Sequence, residues 1–291
     1  MRVFLVDGTY ELFRYHFALP SHVTADGREV AATRGVLSTL LQLVDQGATH
    51  IGVATDHVIE SFRNRMWPGY KSSAGMPPEL LAQFPLVEEA IAAMGVTVWP
   101  MVEVEADDAL ASAAAVLADD PAVDQVVICT PDKDLGQCVR SDGRIVQLDR
   151  RKTMVLDEAA VKAKFGVWPE SIPDYLAVVG DSSDGFPGLA GWGAKSAGTV
   201  LAEYRHLEQI PADGREWNVR VGRPTALAAT LREEWDRALL FRTLATLRID
   251  RSIVSGPAEL EWHGPTDAFA DVCARIDGES VLKRATELAP A

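Results

Sequence analysis

Val104-Glu105-Ala106-Asp107-Asp108-Ala109-Leu110-Ala111 places three carboxylates within four residues and runs straight into an alanine-rich segment that the spacing predicts as a helix ending near Leu117. Acids favour the positive end of a helix dipole, so taken alone the stretch is equally well read as a solvated helix start. Carboxylates this close repel one another and resist desolvation. If they are buried, a cation has to lie between them, and a divalent metal would serve.

The same peculiarity recurs along the chain, each time at a place where a strand or helix should end. Asp7 follows the apolar run Val3-Phe4-Leu5-Val6, and Asp56 ends Ile51-Gly52-Val53-Ala54. Asp132 and Asp134 come after Val126-Val127-Ile128-Cys129, whose β-branching predicts a fully buried parallel strand. Asp181 and Asp184 follow Leu176-Ala177-Val178-Val179-Gly180, three residues apart, a spacing that predicts both on one side of a helical turn. Carboxyl ends of parallel strands share one edge of an α/β sheet, where such sheets hold ligands. Nine acids are therefore expected to converge on one cleft.

At 291 residues the chain suits one large α/β domain, or a core with a smaller helical extension. An apolar content of 47% with 24% charged residues is that of an ordinary soluble protein. The apolar runs fall well short of the roughly 18 to 20 residues that span a membrane. A strand begins almost at the first residue with no leader pattern, so a cytoplasmic protein is expected. Cys129, Cys138 and Cys273 are scattered and odd in number, which predicts reduced thiols and neither a disulfide framework nor a zinc site. A net charge of −14 argues on its face against nucleic acid, which normally meets a basic footprint. Bound divalent ions would cancel several of those charges locally, and a net value does not locate the Lys and Arg.

Strands are expected at 2–6, 51–54, 96–99, 126–129, 144–148 and 153–156, alternating at first with helices at 10–18, 30–44, 84–94 and 107–117. That alternation predicts a doubly wound, mostly parallel sheet. Between 58 and 80 the pattern breaks into basic and aromatic residues among Pro and Gly, which predicts a mobile loop or lid. From Asp157 onward helices dominate, at 158–165, 172–179, 195–204 and 227–247. Gly188, Gly191 and Gly193 precede the third of these, and with Lys195 and Ser196 they read either as a tight helix–helix connection or as an anion site at a helix start. The pieces after Asp250 carry no recognisable chemistry.

With these motifs in order, the chain resembles the 5′-nuclease superfamily of flap endonucleases and the 5′-nuclease domain of bacterial DNA polymerase I. The resemblance rests on Leu5-Val6-Asp7-Gly8, Ser61-Phe62-Arg63 with Gly69-Tyr70-Lys71, Glu105-Ala106-Asp107-Asp108, Thr130-Pro131-Asp132-Lys133-Asp134-Leu135 and Gly180-Asp181-Ser182-Ser183-Asp184. It implies a PIN-like nuclease core at 1–156 with an arch at 58–80. It also implies a helical region at 157–291 holding a helix-two-turn-helix near 176–204. With no room for a polymerase domain, the free-standing bacterial form is expected.

The resemblance further implies that Asp7, Asp56, Glu105, Asp107, Asp108, Asp132, Asp134, Asp181 and Asp184 hold two or three metal ions. Hard oxygen ligands select magnesium or manganese over zinc. Arg63 and Lys71 match arch-base residues that contact the scissile phosphate. Arg14 and the turn of Gly188, Gly191, Gly193, Lys195 and Ser196 match DNA-binding positions, the turn with a potassium ion. The implied activity is 5′-flap endonuclease and 5′-3′ exonuclease cleavage in replication and repair, by a monomer acting on flaps, nicks, overhangs or RNA-DNA hybrids.

The chain departs from the pattern at Thr55 and His57 around the second aspartate, at Ala74 where a basic residue is usual, and at Gly185 where Asn is usual. Two rival readings fit less of the sequence. Asp7-Gly8-Thr9 echoes aspartate-nucleophile phosphatases, but the nucleophile position holds Leu5. A branched-DNA-binding protein that has lost catalysis would have no reason to keep nine mutually repelling acids.

Overall fold

The apolar runs that end in Asp7 and Asp56 are strands. The structure, a computed structural model, describes residues 1–290. In chain order the elements are β1 (Arg2–Asp7), α1 (Gly8–Ala18), α2 (Ala31–Asp45), β2 (His50–Asp56), α3 (Phe62–Met66), α4 (Pro78–Leu81), α5 (Gln83–Ala93), β3 (Thr97–Met101), α6 (Ala106–Ala118) and β4 (Gln125–Cys129). There follow β5 (Ile145–Asp149), β6 (Met154–Leu156), α7 (Glu158–Phe165), α8 (Ile172–Val179), α9 (Ala194–Tyr204), α10 (Pro224–Glu233), α11 (Trp235–Ala245), α12 (Phe269–Arg275) and α13 (Glu279–Leu288). Packing divides these into two units that interleave along the chain. Met1–Ile59, Ser73–Thr130 and the stretch from Ile249 onward form the first, Glu60–Ser72 and Pro131–Arg248 the second.

In the first unit the strands lie in the order β3-β2-β1-β4, all parallel, with Leu5 registered against both Gly52 and Ile128. Val3, Leu5, Ile51, Val53, Val126, Val127 and Ile128 are buried, as expected for strands covered on both faces. The alanines of α6 explain its seat: Ala109, Ala113 and Ala114 are buried and let the helix lie close against β1, β2, β3 and β4. α1 packs on α2 and α5 on β3. The last segment, to which the sequence assigned nothing, is tied into this unit. Trp262 donates from its backbone to Thr49 O and from Nε1 to Met94 O, each at 2.8 Å, while α12 packs on α5 and α13 on α2.

The second unit is an antiparallel β5-β6 pair with the helices α3 and α7 to α11 around their own core, which includes Leu176, Phe186, Trp192, Val200 and Phe241. The helix expected at 227–247 is two, because the chain breaks at Glu234 (φ −105°, ψ 25°) between α10 and α11. The lid expected at 58–80 is also different. Residues 60–72 are built into the second unit, while α4 belongs to the first. Ser61 caps α3 by accepting from Arg63 N, and Asn64 Oδ1 accepts from Ser61 N at 2.8 Å. Trp67 meets Phe241 edge-on at 5.1 Å, and Tyr70 is buried. The aromatic residues that looked like a loop's decoration are core contacts.

Cys129 and Cys273 are buried and Cys138 half-buried, all as free thiols, and burial pushes the Cys273 thiol up to about 11. Among the described residues no helix is long and apolar enough to cross a membrane.

Candidate metal and nucleic-acid site

Parallel pairing sends the ends of β1 and β2 to one edge of the first unit's sheet, and Thr130 follows β4 to the same edge. Asp7 caps α1, with Oδ1 accepting from Tyr10 N and Oδ2 from Thr130 Oγ1, both at 2.8 Å. Asp56 Oδ1 accepts from Ala106 N at 2.6 Å, which anchors the start of α6 to the end of β2, and Asp56 N donates to Thr9 Oγ1. Asp108 Oδ2 accepts from Glu105 N at 3.0 Å in a capping box. Glu105 and Asp108 are only 2% exposed, so the reading of the stretch as a solvated helix start does not hold, while Asp107 is half-buried. The departures at Thr55 and His57 have a local reason. Thr55 Oγ1 donates to Glu88 Oε1 and His57 Nδ1 meets Glu88 Oε2, so both serve a buried glutamate of α5.

In the second unit Asp134, Asp181 and Asp184 each bring a carboxylate oxygen within 4.8 Å of the others, and all three are buried. Asp134 opens a 3-10 turn (Asp134–Cys138), and its amide is bound by Asp132 Oδ1 at 3.1 Å. Gln147 on β5, itself buried, donates to Asp132 O and fixes this loop. Asp181 and Asp184 do not sit on the helical turn their spacing predicted. They lie on a loop closed by Asp181 N to Phe186 O and Phe186 N to Asp181 O, and the closure, not helical periodicity, brings them together.

Two lysines face this group. Lys133 Nζ lies 2.7 Å from Asp181 Oδ2, and Lys71 Nζ lies 3.4 Å from Asp184 Oδ1. Burial, followed by repulsion from Asp132, Asp184 and Asp181, pushes the Asp134 carboxyl well above the usual carboxylate range, against the pull of Lys133. Burial works against the charge on Lys133, but its hydrogen bond to Asp181 and the attraction of the three aspartates outweigh that and raise it. Asp134 Oδ1 is buried without a hydrogen-bond partner. An orphaned carboxylate oxygen among crowded acids costs free energy unless a cation answers it, so this donor set fits a hard divalent ion. Lys133, Thr130, Thr9 and Gln147 have no role assigned from sequence; Thr130 and Lys133 lie inside one quoted aspartate motif and Thr9 beside Asp7, while Gln147 carries no such signal.

The other expected residues are placed as follows. Lys71 N donates to Asp184 O at 3.0 Å, and Trp67 Nε1 to Gly185 O at 3.0 Å. A Cβ on Gly185 (φ +81°) would lie 2.0 Å from Gly69 O, so glycine stands there because two backbones touch. Arg63 is 1% exposed and donates from Nε to Leu244 O at 2.7 Å and from its guanidinium to Thr246 O at 3.1 Å. Arg14 pairs with Glu11 and stacks on Tyr15 at 3.9 Å. Gly188 is buried, and a Cβ there would lie 2.5 Å from Gly180 N, so its approach is to the protein's own backbone. Gly191 and Lys195 are exposed and Gly193 half-buried, while Ser196 Oγ accepts from Gly193 N at 3.1 Å and caps α9.

Residues 2–166 match the family described as 5′-3′ exonuclease, N-terminal resolvase-like domain, and residues 167–268 match 5′-3′ exonuclease, C-terminal SAM fold. The chain belongs to the 5′-3′ exonuclease family. Among curated proteins it is similar to DNA polymerase I of Pseudomonas aeruginosa, 35% identical over 258 residues that cover 84% of this chain and 27% of that protein. The chain thus spans about a quarter of the length of that relative. Its fold is that of T5 D15 protein co-crystallised with metal ions (TM-score 0.66, 17% identity, covering 99% of this chain and 98% of that one). It is likewise that of the catalytic core of Rad2 in complex with DNA substrate (TM-score 0.63, 15% identity, covering 99% and 92%). The 5′-3′ exonuclease fold class expected from the sequence, a mostly parallel α/β sheet with a helical C-terminal region, is the one found.

Proposed function

We infer that this chain is a divalent-metal-dependent DNA nuclease that cuts 5′ flaps and trims 5′ ends, leaving 5′-phosphates. The observation that carries the reading is Asp134 Oδ1, buried without a partner beside Asp181 and Asp184. The proposed ligands of magnesium or manganese are, in the second unit, Asp132, Asp134, Asp181 and Asp184 and, in the first unit, Asp7, Asp56, Glu105, Asp107 and Asp108. Bound ions supply activation of water and charge neutralisation at the leaving 3′ oxygen.

The chain's own residues do the rest. Lys71, held by its backbone on Asp184, offers a positioned ammonium to the phosphoryl group as charge builds on it. Arg63, buried and spread over the Leu244 and Thr246 carbonyls, secures the base of the segment that carries Lys71. Lys195 and the exposed turn at Gly191, next to the Gly193 amide that Ser196 Oγ holds, receive backbone phosphates of duplex at the start of α9. The same turn is the place for a potassium ion, and Arg14 a further backbone contact. The substrates are flaps, nicks and overhangs of DNA or of an RNA-DNA hybrid, met by a monomer in the cytoplasm.

The test is a labelled 5′-flap duplex incubated with the protein and manganese, with and without chelator. Metal-dependent release of a 5′-phosphorylated product is expected. Retained flap binding with no cutting would leave the catalytically impaired binder in its place.

A further inference from the structure

Asp181 and Asp134 differ in what already holds their oxygens. Asp181 Oδ1 accepts from Ser183 N at 2.9 Å and Oδ2 holds the Lys133 ammonium at 2.7 Å, so both of its oxygens are already engaged. Asp134 Oδ1, in the same group, has no partner. The Lys133 side chain is 32% exposed against 3% for Asp181, which leaves the lysine a path to water that the carboxylate lacks. Lys71 is looser on Asp184, at 3.4 Å, and is fixed there through its backbone. Of these two contacts, Lys133 on Asp181 and Lys71 on Asp184, that of Lys133 is the shorter.

We propose that Lys133 is a built-in competitor for the metal, a residue that tunes affinity by holding Asp181 Oδ2 until an entering divalent ion displaces its ammonium toward solvent. This rests on the reading of Asp134, Asp181 and Asp184 as a metal centre. Two effects act in the same direction. The ion gives up part of its attraction to the site because one lone pair must first be freed, and it feels repulsion from a like charge a few ångströms away, which is strong at low local dielectric. The consequence is a site that fills and empties more readily than its crowd of carboxylates would imply. Lys133 acts through Asp181 and has no assigned contact with the substrate.

The experiment is a manganese titration of the full chain by calorimetry, together with thermal melting in manganese and in chelator. Lys133→Met keeps the aliphatic stem and removes the charge. It is expected to bind manganese at least about tenfold tighter than wild type, the scale set by losing one adjacent unit charge. The manganese-induced rise in melting temperature should widen in the same variant, because an unpaired buried Asp181 weakens the metal-free protein. Lys133→Arg, which keeps charge and pairing, should stay near wild type. Unchanged or weaker binding by Lys133→Met, or tightening by Lys133→Arg to the same degree, would overturn the competitor role. Asp181→Asn separates the two levels. If it weakens manganese binding while Lys133→Met changes nothing, only the role of Lys133 falls; if it leaves binding untouched, the metal centre falls and the proposal with it.

Discussion

The two units differ in how they carry charge. The first contains 24 Asp and Glu against 8 Lys and Arg, with neither Lys nor Arg between Ser73 and Thr130, whereas the second contains 20 Lys and Arg against 18 acids. Their motif carboxylates are satisfied differently as well. In the first unit Asp7, Asp56 and Asp108 accept from backbone amides and a threonine hydroxyl. In the second, Asp181 and Asp184 face ammonium groups and one oxygen of Asp134 has no hydrogen-bond partner. A chain-wide charge of −14 therefore describes the first unit, and a nucleic-acid footprint has to be sought in the second.

The largest expected effects probe this contrast directly. Asp134→Ala or Asp181→Ala should lower metal-dependent flap cleavage by on the order of a thousandfold, the loss of several kcal/mol of charge stabilisation. Flap binding, read by anisotropy in calcium or chelator, should persist, since deleting a negative charge does not weaken attraction to phosphate. Asp7→Ala should abolish cleavage too, but with an added loss of stability of about 0.5–2 kcal/mol because it removes the cap of α1. Equal melting temperatures for the Asp7 and Asp134 variants in chelator would erase the distinction between amide-satisfied and orphaned acids.

Next in size is Lys71→Ala, expected to slow single-turnover cleavage by about a hundredfold, the order seen when one positioned charge-stabilising group is removed. Its flap affinity should change by much less. An unchanged single-turnover rate would remove Lys71 from the reaction and leave it as a counter-ion for Asp184.

What the sequence made legible follows the range of the forces involved. β-Branched runs ending in Asp7 and Asp56 are local signals, and so were the strand ends and the acids attached to them. The α6 helix could be read from its alanines and its acidic start. The pairing of Lys133 with Asp181 and the seating of residues 60–72 join positions tens to more than a hundred residues apart. No periodicity in either partner announces them. Gly185 shows the limit well: in the sequence it is only a departure from the family pattern, and the structure gives it the job of letting its backbone touch Gly69. The segment after Asp250 was opaque because its anchor, Trp262, bonds to the carbonyls of Thr49 and Met94, which carry no side-chain signature.

A smaller effect sharpens the charge contrast. Lys195, exposed at the start of α9, should lose about one unit of the salt dependence of flap binding on mutation to Ala, as expected for one released counterion per phosphate contact. Asp271→Asn, at an exposed position of α12 in the first unit, should leave that slope where it was. A slope that responds to both alike would mean that the footprint is spread over the chain and not confined to the basic unit.

The smallest expected effect concerns Asp134 in the absence of metal, and its sign is fixed by the direction of its shift. Burial and three neighbouring aspartates raise its carboxyl in the folded protein above the unfolded value. The folded state therefore holds that proton more tightly than the unfolded chain, and the resulting stability is fully present below the unfolded value and lost as pH rises through the folded one. At neutral pH in chelator Asp134→Asn, which cannot ionise, should melt a few degrees above wild type, at about 2–4 °C per kcal/mol for a chain of this order of size. The gap should close as pH is lowered toward the ordinary carboxylate range, and should invert at neutral pH when manganese is added, because the wild-type carboxylate then has a cation to answer it. A variant that is less stable than wild type in chelator at every pH would show that Asp134 is already satisfied within the second unit, and its acids would then resemble those of the first.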